Sequence, residues 1–212
     1  MRTRRVLWGV GVVVAMGLGA GCAHDAARSA SGSQGKIEKV FADKVRLADR
    51  LVLFDQEQIF MAHLAMERSS NATVRNFAES LVRDHSAHLE EWYALARSQA
   101  LPLSVVDLPS PHSAMGGSGF EGAAPDENTQ FYKEGSRFIQ KSNELANYEG
   151  ADFDRHFLDW VHKAQHQGKD LAKNGLERFI GDTSFAVMLD ETVSRLQGEH
   201  RQLDTVRRFI GD

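Results

Sequence analysis

Beyond about residue 36, apolar residues recur every three or four positions, and no stretch alternates with a period of two. That spacing belongs to one face of a helix and excludes a half-buried strand. It predicts four long helices. The first runs from Lys36 or Asp43 to Arg68, with Leu47, Leu51, Phe54, Met61 and Ala65 facing inward. The second covers Ala72 to Ala100 behind an Asn71 N-cap, with Phe77, Leu81, Trp92 and Leu95 inward. The third, Asp152 to Ile180, turns Phe157, Val161, Ala164, Gly168, Leu171 and Gly175 to the core, a small-residue seam that admits a close neighbour. The fourth, Thr183 to Ile210, starts at an Asp182 cap and carries Phe185, Leu189, Leu196, Leu203 and Ile210.

Pro102, Pro109, Pro111 and Pro125 fall in one window with Gly116, Gly117, Gly119 and Gly122. A proline costs about 3 kcal/mol inside a helix, so this window, about residues 101–126, reads as a loop. A less regular extra helix is expected from Glu127 to Asn147. Short turns join the first two helices and the last two, giving two antiparallel hairpins linked by the long loop. The expected fold is all-α, an antiparallel four-helix bundle with one extra helix. The phrase Arg178-Phe-Ile-Gly-Asp182 returns at Arg208-Phe-Ile-Gly-Asp212. It reads as shared helix-stop chemistry, with Gly181 expected at positive φ.

The N-terminal residues follow a different grammar. Arg2, Arg4 and Arg5 precede an apolar run from Val6 to Leu18, which is broken by glycines and closed by Gly19, Ala20, Gly21 and Cys22. A membrane span needs roughly 20 apolar residues, and this run is shorter. It reads as a signal peptide over 1–21, followed by a lipobox-like cysteine. The usual lipobox leucine stands three places before the cysteine, whereas here Leu18 stands four before. Cys22 is the expected lipidation site. Residues 22–35, rich in Ala, Ser and Gly, are expected to form a flexible tether reaching roughly 20 Å to the domain at 36–212. The chain is thus expected to be exported and held by its lipid on the periplasmic side, at the outer membrane.

Net charge is −4, and loss of the leader's arginines makes it more negative. That sign excludes a nucleic-acid partner, which would require clustered Lys and Arg. With a single cysteine there is no intrachain disulfide and no Cys-rich metal site. The chain has neither a Gly-x-Ser-x-Gly elbow nor a phosphate-binding glycine loop between strand and helix. No catalytic residue can be assigned.

One constellation stands out. Glu57, His85, His88 and His200 fall on or near the apolar stripes of three helices. Buried without partners such groups cost several kcal/mol, so they are expected to meet each other, water or an ion. Imidazoles with a carboxylate suit iron, zinc or manganese. Asp159, His162 and His166 share the opposite face of the third helix and read as a solvated row.

Glu57, the second-helix run Phe77-Ala-Glu-Ser-Leu-Val-Arg-Asp-His85, Ala151-Asp-Phe-Asp154 with Phe157, and His200 together carry a family resemblance. From about Ala42 onward the chain resembles the bacterial ferritin-like domain of unknown function 4142, whose members are described as outer-membrane or periplasmic proteins. The resemblance implies a ferritin-like bundle but no reaction. The family's third-helix histidine falls at Gln165, or at His166 with a one-residue shift, and the Pro102–Asn147 region matches poorly. Two functions remain open: an envelope lipoprotein serving as a binding or structural module, with an unidentified protein partner, or a metal-binding bundle using Glu57, His85, His88 and His200.

Overall fold

The computed structural model describes residues 23–104 and 129–211, with side chains over 34–104 and 133–211. The described residues are all-α, with five helices and no strand: α1 (Ala23–Arg68), α2 (Ala72–Gln99), α3 (Thr129–Ala146), α4 (Gly150–Phe179) and α5 (Thr183–Ile210). None of them is long and apolar enough to cross a membrane. The expected signal peptide and Cys22 lie outside the described residues, as does the expected loop beyond Ser104.

The chain divides into two units between Phe41 and Ala42, six residues later than the expected domain start. The stretch expected to be a tether is helical instead, since α1 begins at Ala23. Its four alanines, Ala23, Ala26, Ala27 and Ala30, are the best helix formers, and it lacks proline and β-branched residues. Serine and glycine content was the wrong guide there.

The helix ends follow local chemistry. Asn71 Oδ1 accepts from Thr73 N at 2.9 Å, and Asp182 Oδ1 accepts from Phe185 N at 3.2 Å. The repeated phrase ends its two helices differently. Gly211 takes φ 83°, whereas α4 stops at Ile180 in right-handed geometry, and Gly181 is not at positive φ. The first copy must restart a helix at once. Asp182 N donates to Phe179 O at 2.9 Å while its carboxylate caps α5 and receives Lys44 and Gln99.

In the unit from Ala42 onward, one set of buried positions on each long helix steps by four and three. On α1 it is Ala48, Leu51, Asp55, Gln58, Ala62 and Ala65, and on α2 Val74, Ala78, Leu81, His85, His88, Trp92 and Ala96. On α4 it is Asp154, Leu158, Val161, Gln165, Gly168, Ala172, Gly175 and Phe179, and on α5 Phe185, Leu189, Thr192, Leu196, Glu199, Leu203 and Val206. This is the 3.5-residue repeat of helices packed along their length. The α4 seam works as its composition suggests: a Cβ on Gly168 would lie 2.8 Å from Phe54 Cζ, and one on Gly175 would strike Leu47.

Two apolar clusters result. One gathers Met61, Phe77, Leu81, Phe153, Phe157 and Leu203, with Phe138 of α3 joining through Phe60 at 5.3 Å between ring centroids. The other gathers Leu51, Trp92, Phe179, Phe185 and Leu189. Each fully buried Leu or Phe contributes about 1.5–3 kcal/mol. On every one of α1, α2, α4 and α5 polar members of the repeat fall between the stretches that feed the two clusters or at their inner edge, Asp154 beside Phe153 excepted.

Candidate functional site

Asp55, Gln58, His85, His88, Gln165, Thr192 and Glu199 occupy this intermediate level, and all are buried. Four helices contribute, so the layer exists only when they are packed. Asp55 is its hub. Its Oδ1 lies 2.7 Å from His85 Nδ1 and 3.0 Å from His88 Nδ1. Thr192 Oγ1 donates to Met188 O at 2.7 Å and is therefore free to accept from His88 Nε2 at 2.9 Å. His85 Nε2 faces Glu199 Oε2 at 3.2 Å, and Gln165 Nε2 donates to the same oxygen at 3.4 Å.

Electrostatics follow from this wiring. Burial alone would raise the Asp55 pKa, but hydrogen bonds from His85 and His88, and their charge, outweigh it and hold the carboxyl below its ordinary range. Burial alone would lower His85. The Glu199 charge and the hydrogen bonds His85 donates to Asp55 and Glu199 instead push it up to about 10. The layer sets carboxylates against imidazoles inside an apolar body, where an unpaired charge would cost several kcal/mol.

The balance leaves several atoms over. Glu199 Oε1, Gln165 Oε1 and both amide atoms of Gln58 are buried and make no hydrogen bond among the described residues. Each such group costs about 1–3 kcal/mol. Glu199 meets His85 on its Nε2 side and Gln165 meets Glu199, and Gln58 lies one repeat step beyond Asp55 on α1. Phe54 packs edge-on against His85 with centroids 5.6 Å apart, and Trp92 does so against His88 at 6.1 Å.

Of the residues singled out in the sequence, His85 and His88 meet here and Glu57 and His200 do not. Glu57 lines a cleft of about 710 Å³ with Arg50, Glu134, Lys141 and Trp160. Desolvation chiefly, then the Glu134 charge, raises it to about 8, against the pull of Lys141. His200 lies one position off the α5 repeat, its side chain 29% exposed, and turns to α4. There it meets His162 and His166, with ring centroids 5.1 and 5.0 Å away. The row expected to face solvent alone thus shares its face with His200. Arg207 pairs with Asp159 beside it.

Asp55, Glu199, Gln58 and Thr192 were not singled out, and Gln165 was marked only as the place of the family's third-helix histidine. The signal that finds them is the strict four-three repeat, in which each takes a core position. Neighbouring Glu57 and His200 fall off that repeat.

A family model described as a domain of unknown function (DUF4142) matches residues 26–206. No curated protein and no solved structure matches the chain.

Proposed function

Because the chain belongs to the DUF4142 family, whose name carries no activity, its chemistry has to be read from its own core, and we propose a lipid-anchored envelope protein that binds one divalent transition metal there. On this reading α1, α2, α4 and α5 form an antiparallel four-helix, ferritin-like bundle, and α3 is the extra helix. Support comes from the order in which the helices meet the apolar clusters: α1 and α5 run one way between them, α2 and α4 the other.

The observation that carries the metal is a set of buried, unmatched oxygens in the His85 layer: Glu199 Oε1, beside the Oε2 that faces His85 Nε2, with Gln165 Oε1 and Gln58 Oε1. A cation would take the place of the proton between His85 Nε2 and Glu199, and would draw on these oxygens. Asp55 would hold His85 Nδ1 from behind, as outer carboxylates do for metal-bound imidazoles. His88 stays on Asp55 and Thr192 and tunes the charge. One imidazole among oxygens suits iron or manganese, with zinc as the third choice.

Mass-spectrometric metal analysis tests this on protein purified without chelator and again after anaerobic reloading. About one equivalent is expected in the wild type, lost in Glu199→Gln and His85→Gln; less than about a tenth of an equivalent in the wild type rejects the metal. The mutual hydrogen bonds of Asp55, His85, His88 and Thr192 favour a second reading, a purely structural polar layer. It predicts large stability losses on substitution and indifference to metal. The anchor is tested separately: labelled fatty acid should enter the wild type and not Cys22→Ser.

A further inference from the structure

The histidines that leave the core make a site of their own. His162 and His166 stand four positions apart on α4, so their rings rise from one face a turn apart, with centroids separated by 4.7 Å. His200 comes across from α5 to within 5.1 and 5.0 Å of them. One ring nitrogen from each lies within 4.8 Å of the others. Tetrahedral ligands at Zn–N distances of about 2.0–2.1 Å would stand roughly 3.3–3.4 Å apart, so modest χ rotations suffice. The rigid backbones are already placed, because α4 and α5 pack along their length and both helices are anchored above and below by buried repeat positions.

We propose that His162, His166 and His200 form a solvent-facing three-imidazole site for a borderline transition metal, Zn²⁺, Ni²⁺ or Cu²⁺. Three neutral nitrogens without thiolate or clustered carboxylate select these ions over Mg²⁺ and Ca²⁺, which require oxygen. The neighbouring charges fit a cation. Arg207, whose positive charge bears on His162, is paired with Asp159. Asp204, 3.9 Å from His200 Nε2, can orient that ring or complete the coordination. The face is open, so the remaining positions go to water or an incoming ligand. Unlike the buried layer, this site exchanges its ion without unfolding and remains accessible to chelators. It stands independently of the metal proposed for the core.

Equilibrium dialysis of purified protein against Zn²⁺, and titration with Cu²⁺ followed by electron paramagnetic resonance, test the proposal. Wild type and Glu199→Gln should both bind Zn²⁺ at this site and show hyperfine structure from several nitrogens with Cu²⁺. His162→Gln/His166→Gln should weaken Zn²⁺ at least about tenfold, the loss that removing even an outer-shell partner causes, and should lose the multi-nitrogen signal. His166→Asn alone gives an intermediate result. These positions reach solvent, so an unchanged circular dichroism spectrum will separate lost binding from lost folding. Zn²⁺ uptake and a Cu²⁺ spectrum unchanged in the double variant would overturn the site, as would a wild-type spectrum with one nitrogen or none.

Discussion

Asp55 Oδ1 stands 2.7 Å from His85 Nδ1, joining α1 to α2 where neither group meets water. The contact is less an added attraction than a condition for burying either partner. Removing one partner of a buried pair strands the other, at about 3–5 kcal/mol. Asp55→Asn keeps the shape and removes the charge that two imidazoles face. It should lower unfolding free energy by about 3–5 kcal/mol in urea titrations. A loss under about 1 kcal/mol, the ceiling for an exposed pair, would show that the layer does not hold charge as described.

Glu57, His85 and Asp49, each with a raised folded pKa, make stability fall as pH rises. The unfolded chain releases the Glu57 proton near 4.5, while the native protein keeps it to about 8, so stability falls between those values. His85 loses its proton near 6.5 when unfolded and near 10 when folded. Its contribution is complete below 6.5 and gone above about 10. Asp55, with its folded pKa lowered, contributes above its unfolded value of 3.8 and loses that contribution as acid protonates it. Thermal melts should therefore give a Tm highest near pH 4 to 5 and declining toward pH 10. Glu57→Gln should flatten the part from 4.5 to 6.5, lessen the fall from 6.5 to 8 and leave the part above 8 intact. A wild-type Tm that rises from pH 5 to 8 would contradict the Glu57 and His85 assignments.

Much of the fold is legible in the apolar spacing, because helix identity depends on a local period that every turn restates. His85 and His88 could be placed for the same reason. Gln58 and Glu199 could not be told from Glu57 and His200 by a stripe some 100° wide, since the members of each pair are one position apart. Only the stricter four-three repeat separates them, and it holds because the four helices pack along their whole length. The helical stretch 23–35 was missed on composition, where alanine outweighed serine and glycine. The meeting of His200 with His162 and His166 was beyond single-helix reasoning, since it depends on how α4 and α5 are rotated against each other.

Gly168 tests how tightly α4 sits on α1. A Cβ there would come within 2.8 Å of Phe54 Cζ and within 2.9 Å of its Cε2. Phe54 cannot retreat freely, since its ring also packs edge-on against His85. Alanine favours helix by up to about 1 kcal/mol over glycine, but overpacking a close contact costs about 1–3 kcal/mol. Gly168→Ala should therefore destabilise the protein on balance, measured by denaturant unfolding. A gain in stability would mean that the α1–α4 contact is looser than the distances imply.

Thr192 accepts from His88 Nε2 at 2.9 Å and gives its own proton to Met188 O. Valine has nearly the same shape and no acceptor, so Thr192→Val leaves a buried N–H without a partner. The expected cost is about 1–3 kcal/mol. Thr192→Ser keeps the oxygen and should retain more of the stability, losing chiefly the methyl packing. A double-mutant cycle with His88→Gln isolates the bond from the packing, because the two side chains touch and their effects should not add. A coupling energy of at least about 0.5 kcal/mol is expected. Additive effects would mean that Thr192 merely fills space, and that His88 is held by Asp55 alone.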